Sequence, residues 1–149
     1  MSTGAAMGEG LTSATRLLHQ ERRSIEQALA LALLCVDDDG AAWLEALVSD
    51  LTTLLATEEK IFFPAVENAL GRPPAQRALH ARVRHALARA TVPRLTRGRR
   101  RKRIFALIEA FRAHARLEER LAFTIEGAMG ERWLEALGSK MRAFRHAAA

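Results

Sequence analysis

The chain is poor in the residues that stabilise small secreted proteins and β-sheets. Its 149 residues include one cysteine and no tyrosine, and aromatic residues make up 5%. The single cysteine, Cys35, excludes an internal disulfide, so we expect a cytoplasmic protein. The longest apolar run, residues 28–36, is far shorter than the roughly 20 residues of a membrane-spanning helix, so no membrane segment is expected. Residues 1–11 lack the basic and apolar regions of a signal peptide, and we expect a flexible tail there.

The residues that are abundant favour helices. Alanine and leucine dominate, and β-branched residues are few. Capping and breaking residues predict five helices, at about residues 12–36, 40–70, 73–92, 96–126 and 131–144. Short connections favour antiparallel neighbours. The predicted fold class is all-α: an up-down antiparallel four-helix bundle over residues 12–127, followed by a short C-terminal fifth helix and tail over residues 128–149.

Each of the four bundle helices has an apolar stripe that polar residues interrupt near its middle. At spacings of three and four, the stripes contain Arg22 on helix 1, Glu58 on helix 2, His80 on helix 3, and His114 with Glu118 on helix 4. Charged side chains rarely enter a core unless they are paired or bind a metal. Because the middles of bundle helices converge, we expect these five side chains to meet.

Two segments of the chain are nearly the same. "LLATEEKIFF", residues 54–63, matches "HARLEERLAF", residues 114–123, so that Glu58 aligns with Glu118 and Leu54 with His114. His114 and Glu118 are four residues apart, which places both on one helix face within reach of a single ion. Imidazole and carboxylate ligands suit iron, manganese or zinc, and a helical bundle favours iron or manganese.

Three further segments accompany this repeat: "ERRSIEQAL" at 21–29, "TEEKIFFPAVE" at 57–67 and "LHARVRHAL" at 79–87. Together with "HARLEERLAF" they resemble, in order and spacing, the hemerythrin-like HHE cation-binding domain family. The resemblance spans about residues 14–127. It implies a hemerythrin-like four-helix bundle that holds non-haem iron.

The resemblance also implies which residues bind metal. The family holds two irons with six ligands, a histidine on each of four helices and a glutamate on helices 2 and 4. Four positions match, namely Glu58, His80, His114 and Glu118. The histidines of helices 1 and 2 are replaced by Arg22 and Leu54. Because the family implies that these two histidines serve the same iron, we expect a partial, mononuclear site with one iron or manganese per chain.

The two replacements are physically consistent with each other. A guanidinium at Arg22 can supply the positive charge of the missing iron and bind carboxylates, while Leu54 fills space. His19, one turn before Arg22, lies on the flank of the stripe, and whether it substitutes as a ligand stays open. We expect His85 and His146 to be solvated. Arg84 stands where oxygen-carrying hemerythrins have a second histidine, which argues against an oxygen carrier.

The sequence leaves two functions open for this core site. In the first, the chain binds metal and acts in redox or O2/NO sensing, or in a mononuclear oxidative reaction on a small molecule, so whether it is an enzyme stays open. In the second, it is a metal-free pseudo-hemerythrin scaffold or regulator in which Arg22 neutralises Glu58 and Glu118 in a buried network.

A basic segment suggests a third function. "RLTRGRRRKR", residues 94–103, carries seven positive charges and no negative one; subtracting seven from the net charge of +6 leaves −1 for the rest. Such a cluster predicts binding of nucleic acid or another acidic partner, or else a solvated loop. No aromatic residue interleaves with the charges, so base stacking is unsupported. The charges fall at the start of helix 4, where the helix dipole disfavours cations.

Overall fold

A computed structural model describes residues 12–36, 41–71 and 76–148, and these residues form helices and no strands. The helices are α1 (Ala14–Leu34), α2 (Ala41–Thr57), α3 (Phe63–Leu70), α4 (Arg77–Ala90), α5 (Arg97–Ala128) and α6 (Glu131–Ala148). A π-helical turn, Glu58–Phe62, joins α2 to α3 without a break, so five separate helices follow one another in the described part of the chain. The predicted all-α fold class with a C-terminal fifth helix is confirmed.

The helix starts follow the predicted capping residues where the structure describes them. The Arg16 amide donates to the Ser13 hydroxyl at the start of α1, and the Arg99 amide donates to the Thr96 hydroxyl at the start of α5, each over 3.3 Å. The predicted tail at 1–11, the predicted break at 37–40 and the predicted helix start at Pro73 and Pro74 lie outside the described residues. Among those described, no helix has the length and apolar character needed to cross a membrane.

The chain divides into two compact units. The first contains Met1–Glu21, Thr53–Pro74 and Glu119–Ala149. In it, α6 packs against the π turn, and Gly138 on α6 touches the backbone at the start of α1. Its buried apolar side chains come from several helices, among them Phe62, Val66, Ile125, Leu137 and Met141. Arg145 on α6 also donates to the carboxylate of the buried Glu21 on α1. These contacts fix the C-terminal helix within this unit.

The second unit contains Arg22–Thr52 and Ala75–Glu118. Its buried apolar residues lie on α1, α2, α4 and α5, at the stripe positions expected from the sequence: Ile25, Leu29, Leu47, Leu51, Val83, Leu87, Ile104, Leu107 and Phe111. The end of α4 lies beside the start of α5, because Arg103 and Arg100 donate to the carbonyls of Arg89 and Val92, both over 2.9 Å. Within this unit, α4 and α5 are therefore neighbours that run in opposite directions.

The π turn changes the register that the sequence predicted for helix 2. The expected stripe placed Ile61 in the core after Glu58, whereas the structure buries Phe62 and Val66 and leaves Ile61 half-buried. The Phe63 amide donates to the Glu58 carbonyl, a bond across five residues rather than four. One additional residue is thus accommodated within the turn, and every later side chain is displaced around the helix. The assignment of Ile61 to the core is wrong for this reason.

Candidate metal centre

Four polar side chains lie together in the core of the second unit. They are Arg22 on α1, His80 on α4, and His114 and Glu118 on α5, with exposures of 4%, 2%, 0% and 0%. Each lies in the apolar stripe of its helix, so it is buried when the stripes of the three helices pack together. The burial predicted for these residues is confirmed. Polar groups buried this deeply require hydrogen bonds, charge partners or a metal ion.

The two histidines contact each other. The rings of His80 and His114 have centroids 4.8 Å apart and meet edge to face at 70°. The ring of Phe111, one turn before His114 on α5, lies 5.9 Å from the His114 ring and shields it from one side. Both imidazoles are therefore held in a dry environment with fixed positions, as ligands of a core metal site require.

His114 and Glu118 meet the distance requirement for two ligands of one ion. His114 Nε2 lies 2.9 Å from Glu118 Oε2. Two ligand atoms that are each about 2.1 Å from one ion, at a right angle, are about 3.0 Å apart. The side chains thus already have the separation of neighbouring ligands on a metal. The residues present at this position fit the cation that the resemblance implies.

The other oxygen of Glu118 faces a cation of the protein itself. Arg22 Nε lies 3.5 Å from Glu118 Oε1, and Arg22 also donates through NH1 to the Ala115 carbonyl over 3.0 Å. The carboxylate of Glu118 therefore has one oxygen toward an imidazole and one toward a guanidinium. A buried guanidinium needs such partners, because an isolated charge in a low-dielectric core is very costly.

Glu58, a further ligand that the resemblance implies, lies in the first unit. It is fully buried at the start of the π turn. Leu54, one turn before Glu58, is also buried and provides no ligand.

The remaining histidines of the described residues lie on the surface. His19, His85 and His146 are exposed, as is Arg84 beside His80. Sequence reasoning did not assign a role to Gln76, which precedes His80 by one turn and is 2% exposed. Within the described part of the chain its Oε1 atom has no hydrogen-bond partner. The signal in the sequence that could have identified Gln76 was its place in the apolar stripe, one turn before a histidine of the ligand type.

Comparison with known proteins agrees with this arrangement. The profile of the hemerythrin HHE cation binding domain matches residues 13–125, which is most of the chain. The chain therefore belongs to the hemerythrin HHE cation-binding domain family. No curated protein and no solved structure matches the chain significantly. The protein is thus a member of a cation-binding family, and its core contains a cluster of histidine and glutamate side chains that offers a possible metal site.

Proposed function

We propose that the chain binds a single iron or manganese ion through Glu58, His80, His114 and Glu118. The observation that carries this proposal is the 2.9 Å separation of His114 Nε2 and Glu118 Oε2 within a fully buried cluster. Two imidazoles and two carboxylates suit either metal in a helical bundle. When bound, such an ion would supply one-electron redox chemistry or an open position for a small diatomic molecule. Arg22 and Leu54 take the places of the two ligands that a second ion would need.

Arg22 is the reason why we propose one ion rather than two. Its guanidinium contacts the Glu118 oxygen that faces away from His114, so that this oxygen already has a positive partner. A second divalent ion at that oxygen would lie against the guanidinium and be repelled by it. The protein's own cation thus takes the role of one metal ion in neutralising the carboxylates.

The same contact supports a second candidate function. If the guanidinium were sufficient to neutralise the buried carboxylates, the chain would be a metal-free member of the family that acts as a scaffold or regulator. Ion networks of this kind persist in proteins even where they contribute little net stability.

The basic segment at residues 94–103 supports a third candidate function, the binding of a polyanion. Five of its seven cations are exposed: Arg94, Arg97, Arg99, Arg101 and Lys102.

Metal content distinguishes the first two functions. We expect protein purified without a histidine tag, and reconstituted with ferrous iron or manganous ion, to retain one ion per chain by elemental analysis. Its thermal unfolding temperature should rise with metal concentration, since a ligand that binds only the folded state stabilises it by mass action. Two ions per folded chain would contradict the mononuclear site, and none would favour the metal-free function.

A pair of histidine variants provides the control. His114→Ala should abolish both metal retention and the metal-dependent rise in unfolding temperature. His85→Ala removes an exposed imidazole on α4 and should leave both unchanged. If both variants lose metal equally, the ion is bound at the surface and the core site is wrong.

A further inference from the structure

We propose that a groove between α4 and α5 binds the phosphodiester backbone of a nucleic acid, without reading its bases. The groove lies in the second unit and has a volume of about 200 Å³, and none of the residues of the buried histidine cluster lines it. Its floor is formed by the buried alanines Ala86 on α4 and Ala110 on α5, and the exposed Ala106 also lines it. Its rim is formed by basic side chains: Arg82, His85 and Arg89 on α4, and Arg103 on α5.

The basic side chains are arranged as a row. Arg82, His85 and Arg89 are three and four residues apart, so they share one face of α4. Seven residues at 1.5 Å each place Arg82 and Arg89 about 10 Å apart along the helix. A single phosphate group cannot contact both ends of such a row. A chain of phosphates can, because duplex DNA carries about one negative charge per 1.7 Å of its axis.

The row continues onto the basic segment at residues 94–103. Arg103 donates to the Arg89 carbonyl over 2.9 Å, which holds its guanidinium beside the end of α4. Arg99 precedes Arg103 by four residues and is exposed, so it extends the same face of α5 by one turn. Four arginines therefore line one continuous path. Guanidinium groups suit this role because their planar forks bind phosphate oxygens with two hydrogen bonds.

The contacts at the end of α4 account for only part of the positive charge. Arg100 and Arg103 donate to the carbonyls of Val92 and Arg89, near the negative end of the α4 dipole, which explains why these two cations are tolerated. Arg99, Arg101 and Lys102 are exposed in the first turns of α5, where the helix dipole opposes cations. A polyanion in the groove would relieve this repulsion.

The other residues of the groove define the mode of binding. Alanine side chains have no hydrogen-bond donors or acceptors, so the floor can contact sugars but cannot distinguish bases. Glu109 is the one acidic residue among those that line the groove, and it opposes an anionic ligand. Replacing the Glu109 carboxylate with a neutral amide should therefore strengthen binding. If the basic surface were only solvated and bound no ligand in the groove, this one substitution would have no such effect.

The test measures binding of a short fluorescein-labelled DNA duplex by fluorescence anisotropy over a range of salt concentrations. Four phosphate contacts predict that the logarithm of the affinity falls with that of salt with a slope of about −3.6. The Arg82→Gln, Arg89→Gln double variant should reduce the slope by about two and the affinity roughly tenfold at low salt. Glu109→Gln should bind more tightly than the parent.

A matched double variant controls for total charge. Arg116→Gln with Arg132→Gln removes the same charge from exposed positions outside the groove and should leave the slope unchanged. Circular dichroism of each variant tests whether it is folded. No DNA binding at low salt, or equal losses in both double variants, would overturn the proposal. So would stronger binding, at equal salt, to phosphatidylserine-containing vesicles or to poly-glutamate than to DNA.

Discussion

Glu118 contacts two different kinds of partner, and this division defines the buried cluster. Its Oε2 atom faces His114 and its Oε1 atom faces Arg22. The guanidinium thus neutralises the fully buried carboxylate that it contacts. A second divalent ion beside that carboxylate would be repelled by the guanidinium, which is why the site is proposed to hold one ion.

Removal of the guanidinium should therefore destabilise the fold. We expect Arg22→Ala to lower the free energy of unfolding by about 3–5 kcal/mol, since it leaves buried carboxylate without its cationic partner. The measurement is denaturant unfolding in the presence of a chelator, so that bound metal cannot mask the loss. Arg23→Ala is the matched control, because Arg23 is adjacent but exposed and its removal should cost little. Equal stability of the two variants would contradict the role of Arg22.

At the scale of helical elements, the π turn distinguishes the two copies of the internal repeat. After Glu118 in the regular helix α5, the next fully buried residue is Ile125, seven positions later. After Glu58, the corresponding buried residue is Val66, eight positions later. The π turn accommodates this extra residue at the position of a candidate ligand. Turns of this type often occur at functional sites, and here the turn begins at Glu58.

The C-terminal helix α6 depends on a close backbone contact. At Gly138 an added Cβ would collide with the Thr12 carbonyl oxygen and lie 3.0 Å from the Ala14 amide nitrogen. Because these are backbone atoms that cannot rotate away, Gly138→Ala should displace α6 and cost about 1–3 kcal/mol, as overpacking does. Thermal unfolding of the purified variant measures this loss.

A second glycine in a helix provides the comparison. At Gly127, near the end of α5, an added Cβ would meet no atom within 4 Å, so Gly127→Ala should be neutral or stabilise by up to about 1 kcal/mol. Gly138→Ala should therefore lower the unfolding temperature, whereas Gly127→Ala should leave it unchanged or raise it. If Gly138→Ala unfolds at the same temperature as Gly127→Ala, α6 does not pack tightly against the start of α1.

At the scale of the whole molecule, rebuilding the two missing ligands should change the number of ions that the protein holds. The Arg22→His, Leu54→His double variant removes the competing cation and restores the six-ligand pattern that the resemblance implies. After reconstitution with ferrous iron, we expect elemental analysis to give two ions per chain in place of one. The rise in unfolding temperature on addition of metal should also be larger than for the parent.

The matched control moves one of the new histidines to the surface. Arg23→His with Leu54→His has the same composition change, but residue 23 is exposed and Arg22 remains in the core. This control should hold no more than one ion. A count of one ion in the rebuilt variant, with the fold intact by circular dichroism, would show that the register assigned to α1 and α2 does not produce a second half-site.

The sequence alone determined the helices, their buried stripes and the family. These features depend on local periodicity and on short motifs, and both can be read from residue order: the spacing of His114 and Glu118 fixes a shared helix face without any knowledge of neighbours. The buried positions on α1, α4 and α5 followed from the same periodicity. The register after Glu58 did not, because residue propensities do not specify a five-residue hydrogen bond within an otherwise regular helix. Leu44 and Leu121, also predicted in the stripes, are half-buried.

The tertiary structure decided how polar groups far apart in the sequence are paired. Arg22 and Glu118 are almost a hundred residues apart, and only the packing of α1 against α5 determines that the guanidinium reaches one carboxylate oxygen while His114 reaches the other. The sequence likewise identified the basic segment but not its continuation through Arg82 and Arg89, which required α4 to lie beside α5. Distances between helices arise from the packing of whole faces, and no local pattern in the sequence encodes them.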